Sequence, residues 1–550
     1  MARQRRAPRF LVRPNHGRGP RISRATSTAA PAAAGRTASA ASRTTSSTPS
    51  CSASAARTSV LSRRWRHVWA HLPELALRYD NACSGLPDHL LHTILLLVPD
   101  GAAAAAARTS VLSRRWRHVW ASLPELALRY DNISYRSCAH ERVGAATRAY
   151  AAPTLRRLEI AMPLGSTHVT AGHVSSWLRF ASQRLAGELK LPLPHPRLAP
   201  DEDEEVVLPP CERATAIDVE YVGRALRFRL PAAAGGSAAF AALATLRITC
   251  ASVDSRELED VLSSRCPRLK ELVLESISLS DGNGDAASVL TIRSDSLQRL
   301  QMAVGADFDG LLRVVIVTPE LQVLTQWCIF GDAYIAAPKL SELYWYKFFY
   351  DPSRHRFAEA GRHLRRMEVT TGYPSMALMN RFDIVDELEL TISAPQGVHE
   401  YEKLLEDTSK LAKCEVLVLK FMVVKHEFNP LMVHLLKQCA GIRKLVVEFT
   451  FMMAPGDYPC KSSGCPCSRL ENRKTNGIVL NSLEEVEVKG SGGKDHKVEL
   501  VRMLCKCNAT FKKKVSISVP RGGPDTRRKI QRIVPPNHKY EINVSERGLF

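Results

Sequence analysis

RLKELVL, Arg268–Leu274, reduces to Leu-x-x-Leu-x-(apolar), and the same form returns along the chain. It stands earlier as TLRRLEI from Thr154, and later as SLQRLQM from Ser296, ELQVLTQ from Glu320 and KLSELYW from Lys339. HLRRMEV from His363, IVDELEL from Ile384, CEVLVLK from Cys414 and GIRKLVV from Gly441 continue it. The second anchors from Leu272 onward are Leu272, Leu300, Leu324, Leu343, Met367, Leu388, Leu417 and Leu445, at intervals of 28, 24, 19, 24, 21, 29 and 28 residues. Alternate side chains of an extended segment point to opposite faces. Each unit therefore predicts one parallel strand with two inward apolar anchors and an outward residue between them.

Nearly all these intervals fall in the leucine-rich-repeat window of roughly 20–29 residues. Residues 150–455 are thus expected to form an irregular leucine-rich-repeat solenoid, whose outward strand positions line a concave surface. An ordinary α/β domain with several leucine-rich strands is the alternative. Helices are expected to return the chain, as in SRELEDVLSSRCPRL, where Leu258, Val261 and Leu262 share a face and Pro267 ends the helix, and in HVSSWLRFASQRL before Leu189. ELYWYKFFY, Glu342–Tyr350, is dense in aromatics, of which alternate members face opposite sides, as core or as binding anchors. The acidic run DEDEE, Asp201–Glu205, reads as a solvated loop between repeats.

A chain of 550 residues exceeds what one compact core usually supports, so several domains or an elongated array is expected. The formal charge is +21, but fourteen arginines precede the first acidic residue, Glu74. The body of the chain is only mildly basic, which weighs against a nucleic-acid-binding body. Residues 1–54 are rich in Arg, Ser, Thr, Ala and Pro without apolar periodicity, and predict a disordered arm; an organelle transit peptide is the alternative. No apolar run approaches the roughly 20 residues of a membrane-spanning helix, so no membrane partner is expected. Fourteen scattered cysteines predict reduced intracellular thiols.

ARTSVLSRRWRHVWASLPELALRYDN, Ala107–Asn132, is already present at Ala56–Asn81, with His71 in place of Ser122. Ahead of the later copy lies GLPDHLLHTILLLVP, Gly85–Pro99, in which Leu86, Leu90, Leu91, Ile94, Leu95 and Val98 recur at helical spacing, between Pro87 and Pro99. After a polyalanine connection, Val111, Leu112, Trp116, Val119, Trp120 and Leu123 define a second apolar stripe opposite Arg114, Arg115 and Arg117, with Ser113 placed to cap it. Two such stripes exceed what a unit of about 40 residues buries by itself, so a partner is expected. The string LPDHLLHTILLLVP…AARTSVLSRRWRHVWASLPEL closely resembles the plant F-box, a small all-helical domain, over residues 85–126.

That resemblance implies docking on a Skp-type adaptor that bridges to a cullin ubiquitin ligase. On the matched positions, Leu86, Pro87, Leu90, Ile94 and Leu95 from the first helix would contact the adaptor. Val111, Leu112, Ser113, Trp116 and Trp120 would build the rest of the contact surface and the domain core, the two roles being left undivided. The earlier copy, 55–81, has no Leu-Pro-Asp helix before it and reads as half an F-box.

CKSSGCPC, Cys460–Cys467, puts three thiols within eight residues, a spacing that raises zinc. A tetrahedral site needs a fourth ligand, however, and no second cysteine pair follows at a usual distance. Cys505 and Cys507 sit two apart on a predicted helix and diverge. The expectation for 456–479 is a reduced loop without metal. Residues 480–520 read strand, Gly-rich turn, helix, strand, and resemble the FBD module that ends many plant F-box/leucine-rich-repeat proteins, with Asn508 and Ala509 fitting its pattern. Residues 521–550 read as a loosely ordered basic tail.

The fold class expected is therefore α/β: a small helical F-box, a leucine-rich solenoid and a C-terminal FBD segment behind a disordered arm. No Gly-rich phosphate loop, His-Glu-x-x-His or Gly-x-Ser-x-Gly occurs. No catalytic residue and no cofactor is expected. The resemblance implies a substrate-recognition subunit of an SCF-type ubiquitin ligase, in the nucleus and/or cytoplasm, whose target protein the sequence does not specify. Two alternatives stay open: a nucleic-acid- or chromatin-binding protein driven by the basic arm, and a degenerate F-box protein unable to dock the adaptor.

Overall fold

The computed structural model describes residues 87, 89–91, 93 and 119–129, and most of 139–545; the longest gaps in the last span are 163–168, 194–204, 232–238, 282–288, 305–311, 450–459, 508–514 and 534–539. The chain divides into two units at Gly85, and every element below belongs to the second. The arm 1–54 and the repeated half-box 55–81 lie outside the described residues.

The anchor series of the sequence is the backbone register of a parallel sheet. Leu272 pairs with Leu300, Leu300 with Leu324, Leu324 with Leu343, Leu343 with Met367, Met367 with Leu388, Leu388 with Leu417 and Leu417 with Leu445. All are 1% exposed or less, and all belong to one continuous apolar core. Each such leucine contributes about 1.5–3 kcal/mol by leaving water. A shift of one residue would turn a whole strand inside out, so burial fixes the register.

The ladder continues past both ends of the predicted array. Backward it passes through Leu246, Ile217, Leu189 and Leu158 to Leu126, in the strand Glu125–Arg129. The segment ELALR, which straddles the end of the F-box expected over 85–126, is thus the first strand of the sheet among the described residues. Forward the ladder runs through Val486 and Ile517 to Ile542. Strand Glu485–Lys489, helix Lys494–Lys506 and strand Val515–Pro520 have the order expected for 480–520. The basic tail departs from expectation: Pro524–Ile533 is a helix, with Ile530 buried in the core, and Tyr540–Ser545 pairs with Val515–Pro520. Its many basic residues hid this in the sequence.

Helices return the chain at the two ends of the array, as Ala171–Arg184, Val398–Asp407 and Phe428–Lys437. Helix Ser255–Asp260 continues as a π-helical turn to Arg265, and Leu258, Val261 and Leu262 are buried together as their spacing predicts. In the middle, strands replace helices. Val289–Arg293, Arg313–Val317, Asp332–Ala336 and His355–Ala358 form a second, four-stranded parallel sheet. Three of the four fall in the shorter units of 19–24 residues, and RVVIV has the β-branched composition of a strand.

Glu205–Val207, Leu226–Arg229 and Ala251–Asp254 build a similar second layer, which joins the far end of strand Glu271–Ser280. The bends between layers fall on residues in the left-handed region: Cys250 at φ 57° and Ser276 at φ 50°. Cys250 N–H donates to the Glu275 carbonyl at 2.8 Å, locking one bend to the next. At the bulge pairing Leu155–Ala161 with Leu185–Leu193, a Cβ on Gly187 would stand 2.0 Å from the Arg156 carbonyl oxygen, so only glycine fits.

Candidate functional site

Two surfaces are candidates for a functional site: the N-terminal helical segment and the face of the main sheet turned away from the core. In the first, Leu90 and Leu91 N–H groups both donate to the Pro87 carbonyl, at 3.0 and 3.3 Å, forming the helical turn that LPDHLL predicts. Pro87 is exposed, Leu90 half-buried and Leu91 fully buried. Trp120 is 8% exposed beside buried Val119 and Leu123. Leu86, Ile94, Leu95, Val111, Leu112, Ser113 and Trp116 lie outside the described residues.

The sheet face follows from the anchor register. The residue between the two inward anchors of each strand points the other way, so Tyr344, Glu368, Glu389, Val418, Val446 and Glu487 form one row in paired register. Val418 and Val446 are buried yet stand apart from the continuous core. They are packed on the outer face.

One end of this row is aromatic. Trp327, 40% exposed, stacks on Tyr346 at 3.9 Å with 21° between planes, and the Arg366 guanidinium lies over Tyr344 at 5.6 Å. Trp345, between the two tyrosines, points inward and packs edge-on against Tyr350 at 5.9 Å. The aromatic run thus divides by parity into core and surface, as alternation requires.

Beside the aromatics lies a charge network of low exposure. Tyr346 Oη donates to Glu368 Oε2 at 2.8 Å, Arg366 Nη2 donates to Glu389 Oε2 at 2.7 Å, and Lys420 pairs with the other Glu389 oxygen. Burial, followed by the neighbouring Glu389 charge, pushes the Glu368 carboxyl up to about 7. Burial alone would raise Glu389 as well, but hydrogen bonds from Lys420 and Arg366 outweigh it and hold that carboxyl below its usual range. The pair therefore shares a proton near neutrality, with the charge on Glu389. Further along, Lys444 reaches Glu485 at 3.1 Å and Glu487 at 3.3 Å.

Between these strands is a recess of about 380 Å³, floored by Val416, Val418 and Val446 and rimmed by Arg366, Glu389, Lys420, Glu448 and Lys489 among others. An apolar floor with charges of both signs around it suits a polypeptide segment that carries its own charges. Tyr344 and Tyr346 belong to the aromatic run singled out in the sequence; Glu368, Glu389 and Lys420 do not stand out there, being on three separate strands. The signal that finds them is the register itself.

At the far end, Arg129 Nε donates to Glu159 Oε1 at 2.7 Å, and that hydrogen bond, with the nearby Arg157 and Lys190 charges, keeps Glu159 below the usual carboxylate range. Glu205, the last residue of the acidic run, is a strand residue paired with Arg227 at 3.2 Å and Arg229 at 3.4 Å. Among the described residues no helix is long and apolar enough to cross a membrane.

A helical segment leading into a parallel leucine-rich sheet defines a modular repeat protein, and comparison with known proteins specifies both parts. The F-box domain family matches residues 83–127, and the repeats of the FBD-associated F-box protein At5g56370 match 174–347. The chain carries an F-box and leucine-rich repeats of the FBD-associated F-box kind. Its curated relatives include three Arabidopsis thaliana proteins. The putative F-box/LRR-repeat protein At4g15060 is 29% identical over 254 residues, covering 44% of this chain and 53% of the relative. The putative F-box/LRR-repeat protein At5g02700 is 37% identical over 99 residues, 18% of this chain and 19% of the relative. The putative FBD-associated F-box protein At5g56390 is 27% identical over 251 residues, 44% of this chain and 54% of the relative. The matched region spans about half the length of the first and third and about a fifth of the second.

Proposed function

We propose that this chain is a non-catalytic substrate-recognition subunit of an SCF-type cullin ubiquitin ligase, acting in the nucleus and/or cytoplasm. The F-box docks a Skp-type adaptor through Leu86, Pro87, Leu90, Ile94 and Leu95, with Val111, Leu112, Ser113, Trp116 and Trp120 completing the contact and its supporting core. The sheet is an irregular leucine-rich solenoid, and 480–520 are its FBD module. The target protein binds across the outer face at Tyr344, Tyr346 and the Glu368–Glu389–Lys420 network. The subunit contributes proximity: it raises the concentration of a target beside the conjugating enzyme.

The observation that carries this reading is the junction itself. The F-box match ends at residue 127, inside the strand Glu125–Arg129 that opens the repeat sheet. An adaptor-bound F-box is thereby joined without a linker to the target-binding face.

The test is capture of a purified Skp-type adaptor by the full chain, by a Leu86→Ala/Pro87→Ala/Ile94→Ala variant and by a chain lacking residues 1–81. Burial of each apolar side chain is worth roughly 1.5–3 kcal/mol, so the triple change should weaken binding by orders of magnitude. Binding that survives truncation and fails in the triple variant supports docking through 85–126. A folded full chain that captures no adaptor overturns the reading in favour of a degenerate F-box.

A further inference from the structure

Outside both surfaces, four metal-ligating side chains meet in the interior. His426 lies between strand Lys413–Val424 and helix Phe428–Lys437, and is 2% exposed. The chain then forms strand Lys444–Phe449 and, before the next strand at Glu485, brings Cys460, Cys465 and Cys467 onto the same spot. The bend that does so is the short turn Pro466–Ser468. Ser468 N–H donates to the Cys465 carbonyl at 3.0 Å, and its hydroxyl donates to the same oxygen at 2.8 Å. Cys465 and Cys467 are fully buried, and the turn packs on helices Val398–Asp407 and Phe428–Lys437.

One ligand atom from each of the four residues lies within 4.8 Å of all the others, and Cys465 Sγ is 3.4 Å from His426 Nδ1. A zinc ion with bonds of about 2.3 Å to sulfur and about 2.0 Å to nitrogen separates tetrahedral ligands by roughly 3.5–3.8 Å. The set is thus close to one coordination sphere. It is too tight to be shared among the several irons of a cluster, and without carboxylates it does not suit Mg²⁺ or Ca²⁺.

The surroundings hold the ligands in place. The Glu427 backbone hydrogen-bonds the Cys467 sulfur and helps fix its position. Tyr401 packs its ring 4.4 Å from the His426 ring, and its buried hydroxyl has no hydrogen-bond partner among the described residues. Cys465 and Cys467 are near enough to act on that hydroxyl electrostatically. A protonated thiol is a weak acceptor, whereas a metal-bound thiolate is a strong one.

We propose that His426, Cys460, Cys465 and Cys467 form a structural zinc site of the Cys3His type. Four protein ligands leave no open position for substrate, which sets it apart from a catalytic zinc. It ties the connection between strands Lys444–Phe449 and Glu485–Lys489 to the preceding repeat, where a long segment separates the array from the C-terminal strands. Metal binding energy there is folding energy.

The full chain, purified under reducing conditions without chelator, is expected to contain about one zinc per chain by plasma mass spectrometry, released when its thiols are titrated with p-hydroxymercuribenzoate. Zinc is expected to fall to background in Cys465→Ala and Cys467→Ala, and to stay at the parental level in Cys414→Ala, which lies outside the cluster. A ligand variant can also lose metal by misfolding, so the parental chain is additionally loaded with Co²⁺. Thiolate-to-cobalt charge-transfer absorption with tetrahedral ligand-field bands supports the site. Folded parental chain that takes up neither Zn²⁺ nor Co²⁺, zinc retained at parental level in Cys465→Ala, iron in place of zinc, or a disulfide among the three cysteines each overturns it.

Discussion

Glu368 illustrates how a single residue depends on its row. Its sequence context, HLRRMEV, says only that it alternates with the inward Met367 and Val369. Pairing sets it beside Glu389 and under Tyr346, where the Arg366 and Lys420 charges favour ionisation of Glu389 instead. An unfolded glutamate titrates near 4.3, and this one near 7, so between those values the folded chain holds a proton that the unfolded chain has released. Its contribution to stability is fully present below the lower value and is lost as pH rises through about 7. Glu368→Gln has no such slope. It is expected to raise the Tm relative to the parental chain at about pH 8 by more than at about pH 5, as read by scanning calorimetry. An equal Tm difference at both pH values would refute the assignment of that proton to Glu368.

At the scale of the element, burial at each position decides the cost of a change. Leu388 faces the core and is fully buried, whereas Ile384, in the same strand, is 48% exposed. Leu388→Ala is expected to cost about 2–5 kcal/mol and Ile384→Ala less than about 0.5 kcal/mol, measured by urea denaturation. Comparable losses would mean that Leu388 does not stand in the core. The strands were legible because leucine spacing and inward burial are the same fact seen twice. The returning elements were legible only where long enough to show a helical period, as in Leu258, Val261 and Leu262. In the middle units, four or five residues such as RVVIV carry too few positions to distinguish the periods.

At the scale of the molecule, the sheet is a one-dimensional stack in which each strand leans on its neighbours. Among the described residues its terminal strands, Glu125–Arg129 and Tyr540–Ser545, each pair on one side only within the main sheet, while central strands such as Met367's and Leu388's pair on both. Native-state hydrogen exchange is therefore expected to be slowest over Glu342–Phe449 and fastest at the two terminal strands, with protection declining outward. Uniform protection from end to end would show a single cooperative unit instead. Chelation of a zinc held by His426 and the cysteine loop should speed exchange from Cys460 onward more than before it.

By itself the sequence determined the repeat, the anchor register from Leu272 to Leu445, the strand–helix–strand order of 480–520 and the resemblance of 85–126 to an F-box. These depend on periodicity and local order, which a linear string records directly. Only the tertiary structure decided that ELALR opens the sheet, that strands rather than helices close the middle units, that the basic tail joins the core, and that His426 stands beside Cys460, Cys465 and Cys467. The Tyr346–Glu368–Glu389–Lys420 network is of the same kind. Each of these rests on residues brought together by the stacking of successive units, and the distance between neighbours in a stack is set by the rise between strands, whereas their separation in sequence is set by loop lengths that vary from unit to unit.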